Sequence, residues 1–227
     1  MCYSTGMSYT FALVGIAATI YVVTAKRFKY AYLPMLLLFY TVMELLQGMQ
    51  YFIVNECNNV WNILSTELAY VLVVLQPLMW NFFFYANSDR CEKNIFLTAM
   101  ALCLFWIAAS VASRVLYKKE NADIMTAFSR FGMDEGVCAR KQKHHVYWTW
   151  TSANFYDFKP TMLMYALLWF VPALLTKKHR WSSIILVLAF LASIVAAFAK
   201  NEAYTMTSLW CFYSVPCVLL VMASLKQ

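Results

Sequence analysis

The sequence predicts an all-α membrane protein: one bundle of seven transmembrane helices with a single long structured loop between the fourth and fifth. Three observations carry this. Of 227 residues 63% are hydrophobic and 13% charged, against about 45–50% and about 25% in soluble domains. Apolar runs of roughly 20 residues, the length that crosses a bilayer, recur between short polar turns. Lys and Arg gather in alternate short turns, as the positive-inside rule describes. Residues 1–227 therefore read as one transmembrane domain, with the loop at 118–160 outside the membrane.

In order, helix 1 covers about residues 7–25 and stops at Lys26-Arg27-Phe28-Lys29. No charged segment precedes it and no small-residue cleavage site follows, so a cleavable signal is not expected. Helix 2 spans 31–54, with Pro34 tolerable in its first turn. Helix 3 spans 62–86 and contains Pro77, which frees the carbonyl of Val73. Helix 4, at 94–117, is the least polar. In the long loop, Ile124, Met125, Phe128 and Phe131 recur at helical spacing and predict a short surface helix. The alternation from His144 to Thr151 predicts a hairpin. Helices 5, 6 and 7 are placed at 160–176, 182–199 and 203–225. No internal repeat suggests an inverted-repeat transporter.

With the N-terminus outside, the cytoplasmic face takes Lys26, Arg27, Lys29, Arg90, Lys93, Lys177, Lys178, Arg180 and Lys226. The opposite short loops hold only Lys200, although the long loop on that side is itself basic. This predicts an extracytoplasmic N-terminus and a cytoplasmic C-terminus. The net charge of +7 then reads as attraction to anionic lipid headgroups of the surrounding bilayer. Nucleic acid is not an expected partner, because no soluble basic domain exists to bind it. A homo-oligomer is compatible with the sequence, which does not specify one.

The candidate site lies in helix 2. Glu44 falls near the middle of that run, where an ionised carboxylate costs about 2.5–3.5 kcal/mol or more. It should face other helices, sit protonated, or line a wet cavity. Gln47 and Gln50 follow at steps of three, so the polar groups share one slowly drifting side of the helix. Glu67, Gln76 and Asn81 on helix 3, and Glu202 and Ser208 on helix 7, complete a candidate ion or ligand pathway. Each has a bland reading. A protonated Glu44 can simply clamp two helices, Gln76-Pro77 with Asn81 can be an ordinary proline kink, and Glu202 beside Lys200 reads more as a solvated interfacial pair than as a gate.

Of the seven cysteines, Cys103, Cys211 and Cys217 fall in apolar helices as packing residues. Cys57 and Cys138 sit in connections on one expected side and are a candidate disulfide. His144 and His145 lack a third histidine at ligand spacing, so no metal site is expected, and no cofactor motif appears. No lysine lies well inside helix 7 to carry a retinal. Hydrolase and nucleotide-binding motifs are also missing.

Met43-Glu44-Leu45-Leu46-Gln47, with Leu75-Gln76-Pro77-Leu78, Asn81 and Ser208-Leu209-Trp210-Cys211-Phe212, resembles an uncharacterised family of multi-pass membrane proteins. The resemblance implies a shared seven-helix core in which helices 2, 3 and 7 touch, and brings no activity with it. Two functions stay open from the sequence. The first is conduction or transport of protons, small ions or a small solute. The second is a non-catalytic binding or assembly role, in which the polar groups are structural or hold a lipid or small ligand. An intramembrane enzyme ranks below both.

Overall fold

Polar residues placed in an apolar chain must be hidden by other helices. The computed structural model describes residues 4–25, 30–115, 122–125, 130–131, 136–142, 145–153, 162–199, 210 and 214–224. Seven helices occur among them: α1 (Thr5–Ala25), α2 (Leu33–Gln50), α3 (Val60–Ala86), α4 (Lys93–Val115), α5 (Met162–Leu174), α6 (Arg180–Ala199) and α7 (Ser214–Ser224). Eleven of the 18 residues of α2 are buried, Glu44, Gln47 and Gln50 among them.

The helices α1, α3, α4 and α6 are long and apolar enough to cross a membrane. At 1.5 Å per residue, α5 with its 13 residues reaches only about 20 Å. The helix ends follow local chemistry. Pro34 stands in the first turn of α2, where its missing N–H costs nothing. Asn59 caps α3 by accepting from the Trp61 amide at 2.9 Å. Helix α3 runs through Pro77 without a break.

Between α4 and α5 the structure corrects the all-α expectation. Strands β1 (Ala122–Met125), β2 (Arg130–Phe131), β3 (Cys138–Gln142) and β4 (His145–Ala153) form an antiparallel sheet in the order β2-β1-β4-β3. At the described residues of the surface helix expected over 124–131 there are strands instead, since Ile124 pairs with Phe131 and Met125 with Arg130; Phe128 lies outside the described residues. Four apolar residues at helical spacing are a weak local signal. The nine-residue β4, dense in β-formers, offers β1 a full ladder, and sheet pairing overrides local period. The hairpin expected within 144–151 is also redrawn, because 145–153 is one strand whose partner is β3.

Two sets of contacts define the ends of the bundle. At one end Asn87 pairs with both backbone groups of Ala31: it accepts from the amide at 2.9 Å and donates to the carbonyl at 3.0 Å. Nearby Glu92 accepts from the Lys177 amide at 2.8 Å, and Lys178 faces Asp89 at 3.7 Å. The turns α1–α2, α3–α4 and α5–α6 thus meet there. The α2–α3 turn and the sheet meet at the other end, where the Asn55 amide donates to the Ala139 carbonyl at 3.0 Å.

The α1–α2 seam is built on small residues. Ser8, Ala12 and Gly15 are buried on α1, and a Cβ added to Gly15 would overlap Thr41 Oγ1, while one on Gly48 would meet the Tyr9 ring at 3.1 Å. Gly15→Ala is therefore expected to destabilise by about 1–3 kcal/mol through overpacking, despite alanine's better helix propensity. In a Thr41→Ala background the hydroxyl is gone, and the same change should become neutral or stabilising. Thermal denaturation in detergent of the two singles and the double checks this sign reversal; equal losses in both backgrounds would refute the seam.

At the turn-rich end His179 is wholly buried, its ring 4.8 Å from that of Phe84 and 5.8 Å from that of Phe96. Burial, and then the charge of Lys178, hold its pKa down to about 4, against the opposing pull of the Asn87 backbone and Asp89. Between about 4 and 6.5 the unfolded chain takes up a proton at this position and the folded one does not. Stability is therefore complete above 6.5 and falls as pH drops through that window, by roughly 3 kcal/mol in all. His179→Phe should flatten this part of a melting-temperature profile, and an unchanged profile would show that other groups set the acid limit.

Candidate functional site

The site is laid out by the antiparallel packing of α2 on α3, which three cross-links mark from end to end. Gln50 Nε2 donates to Ser65 Oγ at 3.4 Å, Gln76 Nε2 to Met43 Sδ at 2.9 Å, and Trp80 Nε1 to Tyr40 Oη at 2.7 Å. Between the first and second of these, on the same helix, lie Glu44 and Gln47. Glu44 is 0% and Gln47 1% exposed, so the polar side of α2 is an interior column.

Below the column a chain of hydrogen bonds ties four helical segments together. Trp210 Nε1 donates to Tyr165 Oη at 2.9 Å, Tyr165 donates to Gln76 Oε1, and Gln76 passes on to Met43. Asn81 Nδ2 donates to the carbonyls of Pro77 and Leu168, both at 2.8 Å. An aromatic mass fills the space toward the turn-rich end. The Trp169 ring stands 5.9 Å from Trp80, 5.3 Å from Tyr165 and 5.1 Å from Trp210.

A second aromatic pair closes the opposite end. Strand β4 sends Trp148 and Trp150 inward, with ring centroids 5.6 Å apart. Trp148 Nε1 donates to Gln50 Oε1 at 2.9 Å, and Trp150 Nε1 to the Thr66 carbonyl at 2.9 Å. Strand β3 is also held covalently. Cys138 is joined to Cys57 by a disulfide, Cα to Cα 5.0 Å, within the usual range. Asn62, fully buried, accepts from the Ala139 amide at 2.8 Å and donates to the Ala139 carbonyl at 3.0 Å. The Lys141 amide donates to Asn55 Oδ1 at 2.8 Å.

Residues 6–227 match a family of unknown function, DUF5765, which takes in nearly the whole chain. The chain belongs to that family. No curated protein and no solved structure matches it.

Of the residues singled out in the sequence, the structure of this family member brings Gln76 and Asn81 into the network around Tyr165 and α5. Glu44, Gln47 and Gln50 form the column above it, and Gln50 reaches the sheet. Glu67 is half-buried on α3, about 100° around the helix from its neighbour Thr66. Glu202 and Ser208 lie outside the described residues. Asn62, Tyr165, Trp148, Trp150 and Trp210 take part as well, and their role is not evident from the sequence. A buried Asn near a helix start and indoles in a polar strand were the available signals, since buried indole N–H groups seek acceptors.

Proposed function

We propose that this chain is a membrane transport protein that moves protons, a small cation or a small polar solute through the Glu44 column, in a closed conformation with an aromatic plug at each end. The observation that carries the reading is the position of Glu44: fully buried on the most enclosed helix, between the Tyr40–Trp80–Trp169 cluster and the Trp148–Trp150 pair. An intramembrane carboxyl is costly, and such groups mark ion and proton pathways. The outer faces of the long helices support embedding in lipid. Leu13, Phe105, Leu188 and Val195 are each more than half exposed, where a water-soluble bundle would expose few contiguous apolar residues.

Orientation follows the turn charges. The turn-rich end, with Arg90, Lys93, Lys177, Lys178 and Arg180, faces the cytoplasm, and the sheet and its disulfide face the oxidising side. All seven helices take part in the embedded bundle, the shorter ones with their ends in the interface.

A second reading has its own support. Gln76, Asn81 and Asn62 spend amide groups on interhelical and helix–sheet bonds, as expected of polar glue in a heptahelical binding or assembly protein. Purified protein in sealed liposomes separates the two. Transport predicts dissipation of an imposed proton or cation gradient above that of protein-free vesicles; a gradient that holds for every ion tried leaves the binding role.

A further inference from the structure

We infer that the groove between α3 and α4 at the turn-rich end is a binding site for one anionic phospholipid, with an acyl chain in the groove and the phosphate on Lys93. Such a site goes beyond the transport reading and requires only that the bundle is embedded in lipid. The groove holds about 530 Å³, and every side chain that lines it is apolar. Leu97, Met100, Ala101 and Leu104 form its α4 wall, at the i, i+3, i+4, i+7 spacing of a single helical stripe. That stripe runs about 10 Å along the axis. Met79 and Phe82 stand opposite on α3, and Met35 of α2 closes the side. Leu97 and Leu104 are more than half exposed, so the groove opens sideways, toward the bilayer. Its three methionines are flexible thioethers that repack around a chain of variable shape.

What separates this groove from any other lipid-facing hollow is its lip. Lys93 stands one turn before Leu97 on the same face of α4, and Tyr85 stands three residues beyond Phe82 on α3. The two meet, with the Lys93 ammonium 5.1 Å from the centre of the Tyr85 ring, so a cation bridges the α3–α4 gap where the groove ends. Tyr32, about half exposed, lays its ring 4.7 Å from that of Phe82 and adds a second aromatic to the lip. Among the described residues no carboxylate pairs with the Lys93 ammonium: Asp89 faces Lys178, and Glu92 accepts from the Lys177 amide. Tyrosines sit at headgroup level in membrane proteins, and basic side chains there attract anionic lipid. A cation between two tyrosines over an apolar slot therefore matches a phosphate ester on a hydrocarbon chain. A headgroup with no ammonium of its own is favoured, because the exposed Arg90 adds a further positive charge at this end.

Native mass spectrometry of the protein in detergent, titrated with phosphatidylglycerol or with phosphatidylcholine of the same chains, reads the site without reference to flux. The wild type should hold phosphatidylglycerol about fivefold more tightly, the factor one basic side chain contributes at a lipid surface. Lys93→Gln should bring the two lipids level. Ala101→Trp fills the groove and should displace both, whereas Thr98→Trp, equal in bulk but lining the separate groove between α4 and α5, should displace neither. Should a tryptophan variant melt at a lower temperature than the wild type, Lys93→Gln carries the decision. Equal affinity for the two lipids in the wild type, an unchanged preference in Lys93→Gln, or the same loss from both folded tryptophan variants would overturn the site. So would a concentration-dependent dimer that Ala101→Trp breaks, which would give the groove to a second copy of the chain. Absence of ion flux in liposomes removes the transport reading and leaves this site standing. Protein that stays dispersed without detergent would remove the embedding, and the lipid site with it.

Discussion

Glu44→Gln is expected to abolish flux while the protein still folds and inserts. Glutamine preserves the length and the hydrogen-bonding reach of the side chain, so the packing of α2 against its neighbours has no reason to change. It removes the titratable proton and the full charge, which are what a proton relay or a cation site needs in a low-dielectric interior. Glu44→Leu makes the complementary change, placing an apolar side chain in an interior position beside Gln47. It should loosen the bundle as well as stop transport, with a lower melting temperature than the glutamine variant. The pair is read as flux per folded protein beside thermal stability. Wild-type flux in a folded Glu44→Gln protein would assign the carboxyl to helix clamping alone.

Reducing the Cys57–Cys138 bond is expected to be the largest single loss of stability available in the chain. The bond spans a sequence separation of 81 residues, and the chain-entropy account gives about 4–5 kcal/mol for a loop of that size. The true figure should be nearer 2–4 kcal/mol, because helices that remain inserted leave the denatured chain less free than a soluble one. Cys57→Ser with Cys138→Ser should lower the melting temperature, and a dithiol reductant should do the same to the wild type but not to the double variant. Asn62 bears on the same junction. With the disulfide gone, its two bonds to Ala139 become the main fixation of β3, so Asn62→Ala should cost more in the double-serine protein than in the wild type. Purely additive losses would show that the two fixations act independently.

The polar column was legible because its residues break an apolar pattern on the correct helical face: Glu44, Gln47 and Gln50 announce a buried side wherever a helix crosses lipid. The cysteines in two connections were legible for a similar reason, as thiols outside apolar helices. The sheet was not. Strand pairing depends on which distant segments meet, and Ile124, Met125 and Phe131 carry a spacing that suits a helix as well as a strand. The Tyr165 network was hidden because a tyrosine in an apolar helix looks like packing until Gln76 and Trp210 are seen around it. Asn62 was hidden because an Asn near the start of a helix reads as an end group, and only the fold carries Ala139 to it. Helix ends moved for local reasons: α2 stops at Gln50, and residues 51–55 form the turn that Asn55 needs to reach β3.

A wet, functional Glu44 column differs from a dry helix clamp in whether water reaches the carboxyl. A density map of the protein in lipid nanodiscs, at a resolution that shows ordered water, tests it most directly. A water is expected within about 3 Å of a Glu44 carboxyl oxygen, continuing toward Gln47 and Gln50. A carboxyl turned toward lipid, or one sealed on all sides by side chains with no water in reach, would contradict it.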